Sequence, residues 1–139
     1  MFKAELTYTD FNGILHENAP FYFNMTRAEM TKYTLIAAQD PIKLIEDVIG
    51  AEDMLTIYNT FEKLIMMSYG VRTSDGGFEK SEKLSEQFTH TEAFSVLLEK
   101  LVGDAEYAAT FVNGICSSAK MDPEKKAIYD KAMSQLKSV

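Results

Sequence analysis

Residues 88–94 run Phe-Thr-His-Thr-Glu-Ala-Phe, and Thr89, His90, Thr91 and Glu92 are residue types that serve enzymes as nucleophile, base or acid. Catalysis would require their polar atoms to converge on one substrate atom. Consecutive residues at a helix start point in diverging directions and do not easily converge. The same order suits another use. Thr89-His90-Thr91-Glu92 has the form of a capping box, in which a threonine oxygen takes one free backbone N–H and a glutamate three residues on reaches back to another. The expectation is therefore structural: a helix begun at Thr89, carrying Phe94, Leu97, Leu98 and Leu101 on one face and stopped by Gly103.

The remaining chemistry-bearing residues are scattered. His16 and His90 lie far apart, and neither has a close Cys, His or carboxylate at zinc-ligand spacing. Gly76-Gly77 lacks the lysine and the helix start of a phosphate loop. Asp75, Glu79 and Glu82 do not keep the spacing of a calcium loop. Glu46-Asp47 and Glu52-Asp53 suit solvated helix ends. No catalytic, cofactor-binding or metal-binding residues are expected, and the chain is not expected to be an enzyme.

The elements follow from period and punctuation. Residues 2–9 alternate, with Phe2, Ala4, Leu6 and Tyr8 on one side and Lys3, Glu5, Thr7 and Thr9 on the other, which predicts a half-buried strand. Asn12-Gly13 signals a hairpin turn into a second strand over about 14–24, edge or bulged at Pro20 because proline cannot donate to a ladder. Thr26 and Glu29 form a capping box ahead of a helix over about 27–38. Asp40-Pro41 opens a helix with Ile42, Leu44, Ile45, Val48 and Ile49 on its stripe, ended by Gly50. A helix over about 52–69 is apolar around much of its girth, which predicts a central position, and Gly70 is expected to close it. Residues 71–80 are expected to be a loop, sharpest at Asp75-Gly76-Gly77, and a short helix follows over about 81–87. Asp104 caps a helix over about 105–118 whose stripe, Tyr107, Ala108, Phe111, Val112 and Ile115, runs through Asn113-Gly114. Asp122-Pro123-Glu124 begins a last helix. The predicted class is α+β, predominantly α: an N-terminal β-hairpin packed on a bundle of about five to seven helices.

A chain of 139 residues suits one domain with its own core. The net charge of −7 disfavours a nucleic-acid surface, which needs clustered positive charge. Residues 1–119 carry −9 and residues 120–139 carry +2, so the last twenty residues are expected to form a distinct segment. The lone Cys116 allows no internal disulfide and fits a reducing cytoplasm as a buried thiol. No apolar run is long enough to span a membrane, and the first residues lack the apolar core of a signal peptide. What remains is apolar surface, from eight methionines, seven tyrosines and nine phenylalanines. Adaptable methionines suit surfaces that accept varied helical partners as well as cores. The candidate partner-binding face is Ile128, Ala132, Met133 and Leu136 on the C-terminal helix, which either meets a partner or docks on its own domain.

The order of these elements resembles the tail assembly chaperones of long-tailed bacteriophages and prophages of Gram-positive bacteria. The resemblance rests on Phe21-Tyr-Phe-Asn-Met-Thr-Arg-Ala-Glu29 after a hairpin and on Lys63-Leu-Ile-Met-Met-Ser-Tyr-Gly70 before the loop. Lys80-Ser-Glu-Lys-Leu-Ser-Glu-Gln-Phe88, Thr91-Glu-Ala-Phe94 and Phe111-Val-Asn-Gly-Ile115 follow in order, and the likeness covers about residues 1–116. It implies binding without catalysis. Such chaperones coat the tape measure protein, keep it soluble and extended, and help recruit the major tail tube protein. They work in the host bacterial cytoplasm and are absent from the mature virion. The resemblance also implies a longer form made by programmed frameshifting, for which Lys125-Lys126 would suit a slippery run of adenines. Self-association is a further option left open by the apolar positions. The alternative function is a small structural tail component retained in the virion.

Overall fold

The computed structural model describes residues 1–37 and 54–117. The helix expected over 42–49, the expected 119/120 boundary and the C-terminal helix lie outside the described residues. Along the chain come β1 (Phe2–Thr9), β2 (Leu15–Phe23), α1 (Arg27–Ala37), α2 (Met54–Ser68), β3 (Tyr69–Arg72), β4 (Phe78–Glu79), α3 (Glu82–Thr89), α4 (Glu92–Gly103) and α5 (Ala105–Ile115). Helices predominate, and the class is α+β.

The first hairpin forms where its turn residues place it. Asp10 accepts from the backbone N–H groups of Asn12 (2.9 Å) and Ile14 (3.0 Å), and Gly13 takes a φ of +79°. Ala4 and Leu6 turn inward and are fully buried, while Lys3 and Glu5 stay exposed. The expected irregularity lies earlier than Pro20. Leu6 pairs with Ala19 but Tyr8 with His16, so β2 carries one extra residue, and Asn18 (φ 49°) takes up the bulge. Asn18 N–H then donates to Thr7 Oγ1 at 3.1 Å.

Backbone direction along β2 can be followed residue by residue. Asn24 N–H donates to Ser68 O at 2.8 Å, and Tyr22 pairs with Gly70, so Pro20, Tyr22 and Asn24 turn their backbone groups toward the β3 side. Among the described residues β3 pairs with β2 at Tyr22 and Phe23 only, so Pro20 sits on an unpaired stretch of edge where a missing N–H loses no ladder bond.

Residues 71–80 are not a plain loop. β3 and β4 form a second antiparallel hairpin that extends the sheet to four strands in the order β1-β2-β3-β4. Its turn is closed by Thr73 N–H to Gly77 O and by Gly76 at φ +86°. Gly70 does not cap α2; it lies in β3. A β-carbon there would come within 2.5 Å of the Phe78 ring and 2.9 Å of Glu79 O, so only glycine lets β4 approach this closely. The helix expected to be apolar around much of its girth forms as α2 (Met54–Ser68). Phe61, Leu64, Ile65 and Ser68 form its buried stripe, but Met54 and Leu55 are exposed.

The core lies between the hairpin and the helices. Phe23 meets Tyr69, Phe88 and Phe111 at ring separations of 5.7, 5.8 and 5.6 Å, and Phe88 stacks on Tyr69 at 4.4 Å. Leu97 and Leu101 of α4 and Phe111, Val112 and Ile115 of α5 join the same cluster. Met25 N–H donates to Ile115 O at 2.8 Å and ties the exit of β2 to the end of α5.

Candidate partner-binding site

The face proposed from sequence, Ile128, Ala132, Met133 and Leu136, lies outside the described residues, so its surroundings are not described. Within the described residues a groove of about 630 Å³ opens between α1, α2 and the start of α3. Its lining is Glu29 and Lys32 from α1, Asn59, Glu62, Lys63, Met66 and Met67 from α2, and Lys80, Ser81, Glu82 and Ser85. Met66 and Met67 are half-buried and give it an apolar lining, while Lys32, Lys63 and Glu82 stand exposed around it.

Each wall is held by local chemistry. Thr26 and Glu29 form the expected capping box, with Thr26 N–H on Glu29 at 2.9 Å and Glu29 N–H on Thr26 Oγ1 at 3.2 Å. Glu29 also pairs with Lys80, whose ammonium donates to Asn24 O at 2.8 Å. Ser81 caps α3 by accepting from Leu84 N–H at 3.1 Å. Ser85 Oγ donates to Met66 O at 2.7 Å and fastens α3 to α2. Lys63 lies 5.7 Å over the Tyr33 ring, and burial, followed by the nearby Cys116, pushes the Tyr33 hydroxyl up to about 12.

The lining carries three lysines and three glutamates around two methionines. Such a surface suits a side-on helix with an apolar stripe and charges of both signs beside it. Sequence reading missed this groove because its residues come from three segments far apart in the chain. The adjacent methionines of Lys63-Leu-Ile-Met-Met-Ser-Tyr-Gly70 were the available signal.

Thr89, His90, Thr91 and Glu92 sit at the junction of two helices. The cap of α4 is Thr91, not Thr89: Thr91 Oγ1 accepts from Phe94 N–H at 3.3 Å and donates to Phe88 O at 2.7 Å. Thr89 ends α3 and donates to Glu86 O at 2.7 Å. His90 closes α3 with its backbone N–H and leaves its ring exposed. The box reading fails because α3 runs two residues further than expected and absorbs Thr89. Asp104 caps α5 as expected, accepting from Glu106 and Tyr107 N–H at 3.0 and 3.1 Å.

Exposed large apolar side chains include Phe11, Ile14 and Leu15 at the hairpin tip, Leu35 on α1, Met54 and Leu55 at the start of α2, and Met1 and Val71. Among the described residues no group of His, Cys, Asp or Glu is arranged to hold a metal ion.

A family model described as phage tail assembly chaperone matches residues 1–134. The chain belongs to the phage tail assembly chaperone family. The match runs well past residue 116 and takes in Ile128, Ala132 and Met133. Comparison with curated proteins and with solved structures found no match. As a tail assembly chaperone the protein has protein partners in tail assembly. Among the described residues of the chaperone no helix is long and apolar enough to cross a membrane.

Proposed function

We propose that this chaperone binds the tape measure protein of its phage, keeps that long helical chain soluble and extended, and helps recruit the tail tube protein around it. It does so by binding alone, without catalysis, in the host cytoplasm, and it leaves before the virion is complete. The observation that carries this reading is the family match over residues 1–134.

Physical chemistry supports it. A long amphipathic helix exposes an apolar stripe that must be shielded from its own kind. A protein of net charge −7 that covers the stripe adds mutual repulsion and solubility. Many copies bound along one chain hold it by avidity without any single tight site. The methionine-lined groove and the face of Ile128, Ala132, Met133 and Leu136 are the surfaces proposed to meet the client.

Co-expression with the tape measure protein tests the reading. A stable complex with several chaperones per client chain is the expected result. A client that purifies free of the chaperone would refute it. So would a chaperone found as a permanent component of purified virions, the result a structural tail protein would give. Removing residues 120–139 asks where the client binds: a loss of binding assigns the contact to the C-terminal segment, and unchanged binding assigns it to the groove.

A further inference from the structure

Among the described residues the eight-residue strand β1 pairs on one side only, at the end of the strand order. At the turn, Asp10 N–H donates to Ile14 O at 2.9 Å, which turns the even-numbered residues of β1 toward β2. The other end agrees. Tyr22 and Asn24 face β3, so Phe21 and Phe23 face β1, and their partners Ala4 and Phe2 face them in return. Lys3 and Glu5 therefore direct their backbone N–H and C=O groups away from the sheet, and among the described residues these groups have no hydrogen-bond partner. Their side chains are exposed and pair with each other at 3.3 Å.

We propose that two copies of this chain pair through β1, antiparallel and centred on Ala4, so that Lys3 of each copy stands opposite Glu5 of the other. That register satisfies two independent conditions. It makes each Lys3–Glu5 cross-strand pair a hydrogen-bonded one, since both residues already present their backbone groups outward. It also surrounds every charge with opposite ones, the pair within its own strand and the pair across the edge. Shifting the register by two residues would set Glu5 against Glu5. A lysine on an edge strand ordinarily deters pairing by stranding its charge; here Glu5, two residues on, answers it under two-fold symmetry. The contact is short. The bulge at Asn18 twists the hairpin beyond Leu6, and the Met1 amino group is engaged by Ser117 Oγ at 2.9 Å. A closed two-fold contact of this kind stops at two copies.

Sedimentation equilibrium of the full chain over a range of concentrations tests the proposal. A monomer–dimer equilibrium is expected. Glu5→Pro removes an outward N–H and the exposed ion pair with Lys3, neither of which the monomer's core uses, and is expected to give a folded monomer, checked by an unchanged circular dichroism spectrum. Should that variant misfold, Lys3→Glu puts like charges opposite each other and is expected to weaken dimerisation about tenfold, while Lys3→Glu/Glu5→Lys restores it. By NMR, the Lys3 and Glu5 amides are expected to exchange more slowly as concentration rises, with Ala4 and Leu6 protected throughout. A monomer at every concentration overturns the proposal. Equal protection of Lys3 and Glu5 in dilute and concentrated solution also overturns it, because the edge would then be covered by the chain itself.

Discussion

Lys80 and Glu29, fifty-one positions apart, form an ion pair that locks the start of α1 to the entrance of α3. The carboxylate does double duty, since it also accepts Thr26 N–H at 2.9 Å, and Lys80 adds a bond to Asn24 O at 2.8 Å. The side chains retain only 20% and 32% exposure, so water screens the pair less than a surface one. Lys80→Met keeps the aliphatic stem and removes the charge. It is expected to lower stability by about 1–2 kcal/mol in urea unfolding. Lys83→Met, at an exposed position on α3, is expected to stay within about 0.5 kcal/mol of the parent.

Gly114 explains how a glycine survives inside α5. A β-carbon there would lie 2.9 Å from Phe2 Cβ and 3.0 Å from its ring, and that ring packs edge-on against Tyr107 and Phe111. Gly114→Ala gains about 1 kcal/mol of helix propensity but overpacks the site at a cost of about 1–3 kcal/mol. Overpacking is expected to win, with a net loss of stability in denaturant unfolding and displaced Phe2 ring resonances by NMR. A stabilised variant would mean that Phe2 yields freely.

The junction between α3 and α4 separates two threonines that look alike in sequence. Thr91→Ala removes the acceptor of Phe94 N–H and is expected to cost about 1 kcal/mol. Thr89→Ala loses only a bond to a carbonyl of its own helix and is expected to change stability by less than about 0.5 kcal/mol. Equal losses would restore the capping role to Thr89.

Tyr33 is expected to contribute to the alkaline stability limit. Its hydroxyl is raised from 10.0 to about 12 by burial and then by the neighbouring Cys116. A raised value means the folded state favours the neutral phenol. The stabilisation is whole below pH 10 and is lost as pH climbs toward 12. Burial also raises the Tyr69 and Tyr107 hydroxyls, so phenolate absorbance should show a late-titrating set of tyrosines, and Tyr33→Phe should remove the latest member and move the alkaline unfolding midpoint upward.

Local signals in the sequence proved reliable where the structure is local. Thr26 with Glu29, Asp104 ahead of α5, and Asn12-Gly13 at the first turn all act over a few residues and do what their types predict. One miss is local, the capping box read at Thr89, which α3 absorbs so that Thr91 caps α4; the others need partners remote in the chain. Gly70 looks like a helix stop until Phe78 is seen against it, and β3 and β4 are too short to show a period. On α2, Phe61, Leu64, Ile65 and Ser68 are buried while Met54 and Leu55 are exposed, a division its apolar composition alone does not show. The groove unites Glu29, Met66 and Lys80, a juxtaposition that only tertiary packing creates.

Shielding a helical client from self-association is the role proposed for this chaperone. Light scattering of a tape measure fragment titrated with the full-length chaperone measures that directly. Scattering is expected to fall to the level of dispersed complexes once the chaperone covers the fragment, and Met66→Glu/Met67→Glu is expected to raise the amount required. A fragment that stays dispersed without the chaperone, or aggregates regardless of how much is added, would contradict the claim.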